Sequence, residues 1–200
     1  PLWTAMKTNA ELASLPNDPG IPSHGARYVA KRLAEFCQRH PGRISLHAVG
    51  HSAGAIFHSY FLPAALQEGS GPISSLQLLA PAIEVDGFLD RLSPEVGQGV
   101  RNLTMYTMNK QLERDDNCAQ IYRKSLLYLV SRAFEPEREA PILGLEESVR
   151  ANSALVACSG SRRAPRAWRR WSGPARRIRP RPTAAARRRR TAVSTTTSTP

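Results

Sequence analysis

The stretch from residue 44 to residue 67 has the sequence ISLHAVGHSAGAIFHSYFLPAALQ. Its first part, Ile44 to Val49, is short and rich in residues that favour strands, and it ends at Gly50. Its second part, Ala53 to Gln67, is a longer apolar segment typical of a helix. A strand that passes directly into a helix is a building unit of α/β proteins, so this stretch predicts that class.

The residues between the strand and the helix, Gly50-His51-Ser52-Ala53-Gly54, fit the G-x-S-x-G pattern of a nucleophile elbow. We expect a strained turn that projects the Ser52 hydroxyl above the carboxyl edge of the sheet. Side chains at Gly50 and Gly54 are expected to collide with neighbouring elements. The helix N-terminus favours negative charge there, so the Ala53 N–H can stabilise an oxyanion. A Gly/Ser turn with a capping serine is the alternative interpretation.

Helices and strands alternate through the rest of the first 157 residues, which predicts a mostly parallel sheet flanked by helices. The predicted elements are a short helix around Trp3, Met6 and Leu12, helices at Gly25 to Arg39, Val85 to Leu92 and Ala119 to Phe134, and strands at Ile73 to Leu79 and Val100 to Met108. In the helix from Gly25, the apolar side chains at helical spacing predict the buried face: Tyr28, Val29, Leu33, Phe36 and Cys37. Pro63 is expected to bend or shorten the helix that contains it.

The charge of the chain is divided unevenly. The 28 Lys and Arg against 16 Asp and Glu give a net charge of +12, yet residues 1–160 hold 15 basic and 16 acidic residues. Residues 161–200 hold 13 Arg and no acid. We therefore predict a domain at residues 1–157 and a disordered, Arg-rich tail at 158–200. The domain lacks the basic surface of a nucleic-acid-binding module, and the tail is expected to bind polyanions only incidentally.

Several other classes are disfavoured. The longest apolar stretch, Ser125 to Phe134, is too short to span a bilayer, so we expect no transmembrane segment. Cys37, Cys118 and Cys158 are odd in number and widely spaced, which argues against a disulfide scaffold or a zinc module. We expect a reducing, cytoplasmic location and no metal.

Residues from about Ile44 to Arg150 resemble the second half of an α/β-hydrolase domain. The segment Leu46 to Ala55 resembles its fifth strand and elbow, Leu76 to Ala82 its sixth strand, and Leu103 to Met108 its seventh. Tyr122 to Glu135 is similar to a stretch in poorly characterised bacterial members. The resemblance implies a partial α/β-hydrolase fold and a serine hydrolase acting on a small-molecule ester, thioester or amide without a cofactor.

In this superfamily the order along the chain is serine, acid, histidine, with the acid just after the seventh strand. Asn109 cannot carry charge, and the leading candidates are Asp116 and Glu113, which could equally be solvated acids. The histidines lie at positions 24, 40, 47, 51 and 58, and none follows the candidate acids. Since no base is evident, we expect this chain to be a weak or inactive hydrolase.

Two other hypotheses remain open from the sequence. The hydrolase-like domain can be a scaffold for a non-enzymatic binding protein whose basic tail contacts nucleic acid or anionic membrane. The chain can also be a truncated product whose sheet lacks strands and leaves an unpaired edge, which favours aggregation. Selective binding that survives physiological salt would support the first of these, and a broad, non-cooperative melt would support the second.

The composition of the tail leads to a first prediction. Arg, Ala, Pro, Thr and Ser are typical of a GC-rich gene translated out of frame, and Thr191 to Ser198, shifted by one base, can encode His-Gly-Gly-Phe-Asp-Asp-Asp. We expect sequencing of the coding DNA from the Ile142 codon to the stop codon to locate an inserted or deleted base between about residues 150 and 161. Correcting it would restore a histidine after Asp116. An unchanged frame would make the basic tail genuine and remove the catalytic assignment.

Overall fold

The computed structural model describes residues 2–17, 24–118, 122–160 and 168–171. Its strands are β1 (Leu46–His51), β2 (Ile73–Leu79), β3 (Leu103–Tyr106) and β4 (Trp168–Trp171). Its α-helices are α1 (Leu2–Leu12), α2 (Gly25–Arg39), α3 (Gly54–Gln67), α4 (Val85–Arg91), α5 (Lys110–Asp115), α6 (Leu126–Leu129), α7 (Glu146–Ala151) and α8 (Ser153–Gly160). A 3-10 turn at Ser93–Glu95 and a π-helical turn at Val130–Phe134 complete these elements.

The four strands are parallel and lie in the sheet in their order along the chain, β1-β2-β3-β4. Right-handed crossovers that always advance in the same direction place their helices on one face of a sheet. The main core agrees, because it joins the inward side chains of the strands to those of α3, α4 and α8. It includes Ala48, Leu76 and Leu103 from the sheet and Leu62, Phe88 and Leu155 from the helices. The predicted α/β architecture is thus confirmed.

The opposite side of the sheet, which we call the open face, carries the outward side chains of β1, β2 and β3. His47 and His51 are exposed, Val49 is 59% exposed, and Ser75 and Gln77 are half-buried. Parallel strands covered on both faces are usually apolar throughout. Here most of the outward residues are polar, as in a sheet with one face in contact with water, and the exposed Val49 is an exception.

The bounds of α2 match the prediction, but the predicted buried face is wrong. Tyr28 and Val29 are each 53% exposed and Phe36 is 47% exposed. The helix instead buries Ala26, Arg27, Ala30 and Ala34, and it packs against α3. Small side chains allow two helix backbones to approach closely, so alanine rather than the larger residues forms the contact.

Other elements differ from the prediction in length. Pro63 does not end α3, which continues to Gln67. The strand predicted at Val100 to Met108 is limited to β3. In place of a single helix from Ala119 to Phe134 the structure has α6 and the π-helical turn, and residues 119–121 lie outside the described part.

The boundary predicted between residues 157 and 158 lies inside α8, which runs from Ser153 to Gly160. Trp168–Trp171, predicted to be disordered, forms β4 and pairs with β3 from Leu103 to Tyr106. This strand could not be recognised from the sequence, because the segment has no extended apolar pattern that would distinguish it from the rest of the tail. The prediction for 161–167 and 172–200 concerns residues outside the described part of the chain.

An ionic cluster attaches α1 to the rest of the domain. Lys7 Nζ donates to Glu84 Oε1 at 2.8 Å and also to Glu135 Oε2. Trp3 Nε1 donates to Glu135 Oε1 at 2.8 Å. Burial, followed by the adjacent Glu84 carboxyl, raises the pKa of Glu135, whose side chain is only 1% exposed. Lys7 therefore compensates a carboxylate that has little access to water.

The substitution Lys7→Met should reduce the free energy of unfolding by roughly 2 kcal/mol, because it leaves the buried Glu135 carboxylate without its cation. Chemical denaturation at neutral pH measures this loss. The matched control is Lys110→Met, which removes a more exposed ion pair with Glu147 and should cost about 0.5 kcal/mol. Equal effects of the two substitutions would contradict the special role assigned to Lys7.

Candidate active site

The turn that joins β1 to α3 holds Ser52 in a left-handed conformation, with a φ of +51°. Its backbone N–H donates to the Leu79 carbonyl at 2.9 Å, and its carbonyl accepts from the N–H groups of Ala55 and Ala82, each at 3.1 Å. A non-glycine residue in this conformation costs on the order of 1 kcal/mol and persists only where its surroundings impose it. The strain expected for a nucleophile elbow is present at this serine.

The two elbow glycines differ in the space available for a side chain. A Cβ at Gly50 would lie 3.0 Å from both the carbonyl carbon and the oxygen of Gly54, and 2.9 Å from His58 Cδ2. The expected collision is therefore confirmed at Gly50. A Cβ at Gly54 meets nothing within 4 Å, so the collision expected there is wrong. Gly54 begins a helix at a point where its missing side chain would enter open space.

The residue after the serine lies at the N-terminus of α3. Ala53 has helical backbone angles (φ −60°, ψ −20°) and precedes the 14 residues of the helix. The first N–H groups of a helix have no acceptor within it, and they favour a negative charge in front of them. Ser52 is half-buried, so its hydroxyl keeps partial access to solvent. The role of the Ala53 N–H toward an oxyanion remains a prediction.

The candidate acids follow β3, at the start of α5. Asn109 caps this helix, since its side-chain oxygen accepts from the Leu112 N–H at 2.9 Å. Glu113 is 1% exposed, and neither of its carboxylate oxygens has a hydrogen-bond partner among the described residues. Asp116 is exposed, and its Oδ1 accepts from the Asn117 N–H at 2.8 Å. The two candidates thus occupy opposite environments.

Burial raises the pKa of Glu113. The nearby Ser125 hydroxyl acts in the opposite direction, and the Asp116 charge adds to the increase. The Ser125 hydroxyl does not reach hydrogen-bonding geometry, so burial dominates. The buried Glu113 carboxyl can therefore accept a hydrogen bond from a donor that enters its surroundings. Asp116, which is exposed to water, gains less from such a donor.

The sheet brings Ser52 and Glu113 to the same edge. Ser52 follows β1 and Glu113 follows β3, and adjacent strands are about 4.8 Å apart, so the ends of these two strands are separated by roughly 10 Å. The Ala80 N–H, which follows β2, donates to the Tyr106 carbonyl at 2.8 Å and links the strand ends.

None of the five histidines hydrogen-bonds the Ser52 side chain within the described part of the chain. His58 Nε2 lies 3.0 Å from the Val49 carbonyl, to which it donates. Burial lowers the pKa of His58. His51 points to the open face, and His47 contacts Ser45 and Ser75. The absence of a base at the elbow stays a prediction.

Sequence reasoning missed several buried hydroxyl groups near this edge. Thr107 Oγ1, Tyr122 Oη and Ser125 Oγ are buried and have no hydrogen-bond partner among the described residues. Ser125 is tied to the candidate acid, because its N–H donates to the Glu113 carbonyl at 2.8 Å. No pattern in the sequence marked these residues, since the segment from Ala119 was expected to be one continuous helix.

The described residues contain no group of three His, Cys, Asp or Glu side chains arranged to hold a metal ion, and Cys37 and Cys118 are free thiols. No helix in the described part is long and apolar enough to cross a membrane. Comparison of the chain with protein-family models, with curated proteins and with solved structures gave no match. The fold is therefore assigned only at the level of a partial α/β architecture.

The environment of Glu113 leads to a prediction on stability. The pKa of Glu113 is raised in the folded state. At pH values above those at which a carboxyl normally ionises, this residue therefore destabilises the native protein relative to the unfolded chain. The substitution Glu113→Gln should therefore stabilise the protein at pH 7.5 by on the order of 1 kcal/mol. The gain should become small as the pH falls toward about 4, where the wild-type carboxyl is largely protonated in the folded state and mostly protonated in the unfolded state.

Urea unfolding at the two pH values measures this difference. Glu137→Gln is the matched control, because Glu137 is exposed and its substitution should leave the stability nearly unchanged at both pH values. A Glu113→Gln variant that is less stable than the wild type at pH 7.5 would show that the carboxylate has a partner and would contradict the prediction.

Proposed function

We propose that this chain carries the nucleophile and the acid of a serine acyl hydrolase, with Ser52 as the nucleophile. The observation that carries the proposal is the left-handed conformation of Ser52 at the end of β1 and the start of α3. A strained serine at a strand-to-helix turn is the feature that a nucleophile elbow requires. The resemblance of residues 44–150 to the second half of an α/β-hydrolase supports the same assignment.

In the proposed reaction Ser52 Oγ attacks the carbonyl carbon of a small-molecule ester, thioester or amide. The oxyanion that forms then accepts a hydrogen bond from the Ala53 N–H at the N-terminus of α3. A base must accept the serine proton, and a carboxylate must orient that base. We assign this positioning role to Glu113, which is buried and has no hydrogen-bond donor among the described residues, ahead of Asp116, which is exposed.

The missing component is the base. None of the histidines forms a hydrogen bond with the Ser52 side chain among the described residues, so the proposal includes no proton acceptor from this chain. Acyl transfer by this chain should be slow for that reason. It should accelerate when a free imidazole can enter between Ser52 and Glu113, since a positioned general base contributes roughly 100-fold or more.

The test is labelling by a fluorophosphonate, with the modified residue identified by peptide mass spectrometry. We expect slow labelling of Ser52 in the wild type, an increase of roughly tenfold or more in the presence of imidazole, and no labelling of this position in Ser52→Ala. Glu113→Gln should lose most of the imidazole effect, because the entering ring is no longer oriented. Asp116→Asn is the matched control and should retain it.

Two outcomes would contradict the proposal in different ways. Rapid labelling of Ser52 without imidazole would mean that the chain supplies a base of its own. Failure to label Ser52 even with imidazole, in a protein that still melts cooperatively, would mean that the strained turn does not activate the serine. Loss of the imidazole effect in Asp116→Asn alone would transfer the positioning role to Asp116.

A further inference from the structure

A second group of serine and histidine side chains lies at the other end of the sheet, on the open face where β1 and β2 begin. Ser45 Oγ lies 3.1 Å from His47 Nε2, and His47 Nδ1 lies 2.7 Å from Ser75 Oγ. Ser74 Oγ lies 2.7 Å from Ser45 Oγ. We call these four residues the serine–histidine array. It is formed without any contribution from the elbow.

An irregularity in the pairing of β1 with β2 assembles the array. Leu46 pairs with Ile73, but His47 pairs with Ser75, so Ser74 is an extra residue on β2. Such a bulge redirects side chains and is found next to active sites. Here it places two consecutive serine hydroxyls beside Ser45 and His47, where a regular strand would place only one.

The array is open to reagents. Ser45 and His47 are exposed, while Ser74 and Ser75 are half-buried. Ser45 and Ser74 line a cavity of about 480 Å³ at the amino ends of the strands, with Arg101 on its wall. A small acyl group fits in a cavity of this size.

One tautomer of His47 makes its Nε2 a proton acceptor for Ser45. Ser75 Oγ can accept from Nδ1–H of His47, which leaves the Nε2 lone pair directed toward the Ser45 hydroxyl. A nucleophile next to a base that is itself oriented by a third group is the arrangement that activates serine. We propose that Ser45 is a second nucleophile, acylated by small activated esters, with His47 as its base and Ser75 as a positioning residue.

The proposed acylation forms one bond, transfers one proton and breaks one bond. Ser45 Oγ forms a bond to the acyl carbon, and its proton passes to His47 Nε2. The bond between the acyl carbon and the leaving oxygen breaks, the leaving group departs as a phenolate, and His47 then releases the proton to water. Ser45 precedes a strand rather than a helix N-terminus, so the oxyanion stabilisation proposed at Ser52 is absent. We therefore expect a single, stable acylation rather than turnover.

The experiment uses the full chain, p-nitrophenyl acetate as the reagent and peptide mass spectrometry to locate the acetyl group. We expect one acetyl group on Ser45 in the wild type and in Ser52→Ala, and none at this position in Ser45→Ala. Ser153→Ala is the matched control. Ser153 is an exposed serine at the start of α8, outside the array, so the variant should still be acetylated at Ser45.

Variants of the other two residues test their separate roles. His47→Gln should lower the initial rate at Ser45 at least tenfold, because no imidazole remains to accept the Ser45 proton. Ser75→Ala should lower the rate severalfold and Ser75→Thr should restore it, since both keep His47 but only threonine keeps a hydroxyl. The hydrogen-bond partners of His47 are uncharged, and the titratable groups that line the adjoining cavity are Arg101, His40 and Cys37.

Three results would overturn the inference. The first is acetylation of Ser45 in His47→Gln at the wild-type rate. The second is acetylation confined to lysine or histidine side chains. The third is loss of the acetyl group in Ser52→Ala, which would assign the reaction to the elbow. Because the array and the elbow are tested by separate variants and reagents, one proposal can fail while the other stands.

Discussion

The order of the strands constrains most of this molecule. Four parallel strands that follow one another in sequence can be joined by right-handed crossovers only if the connecting helices lie on one face. The main core is formed on that face, from Ala48 and Leu76 in the sheet to Leu62 and Phe88 in the helices. The same topology exposes the opposite side of the strands. Both sites described above depend on it, one at each end of the sheet.

The sequence contained enough information for the turn at Ser52, because that turn is local. A β-rich segment, a glycine and an apolar helical segment are adjacent in the chain, and the backbone strain follows from the turn they form. The limits of α2, from Gly25 to Arg39, were predictable for the same reason, since the His40-Pro-Gly sequence that ends the helix is local. The triad roles, in contrast, rest on a resemblance and remain proposals.

Features that depend on distant contacts could not be predicted from the pattern of residues. The buried face of α2 depends on how closely α3 approaches it. The close approach favours alanines over Tyr28 and Phe36 in the contact, and the periodicity of the sequence does not encode the distance between the two helices. The bulge at Ser74 depends on the register between β1 and β2. The burial of Glu113, which distinguishes it from Asp116, depends on the segment that folds over α5.

The conformation of Ser52 has a consequence for the energy balance of the chain. Glycine adopts a φ of +51° without the steric cost that a side chain incurs, so a glycine at this position would relax the backbone. The domain instead has a serine at one of the few positions where the backbone conformation disfavours a side chain. The hydroxyl is thus held at an energetic cost to the fold, and the stability of the turn and the reactivity proposed for Ser52 impose opposite demands on this residue.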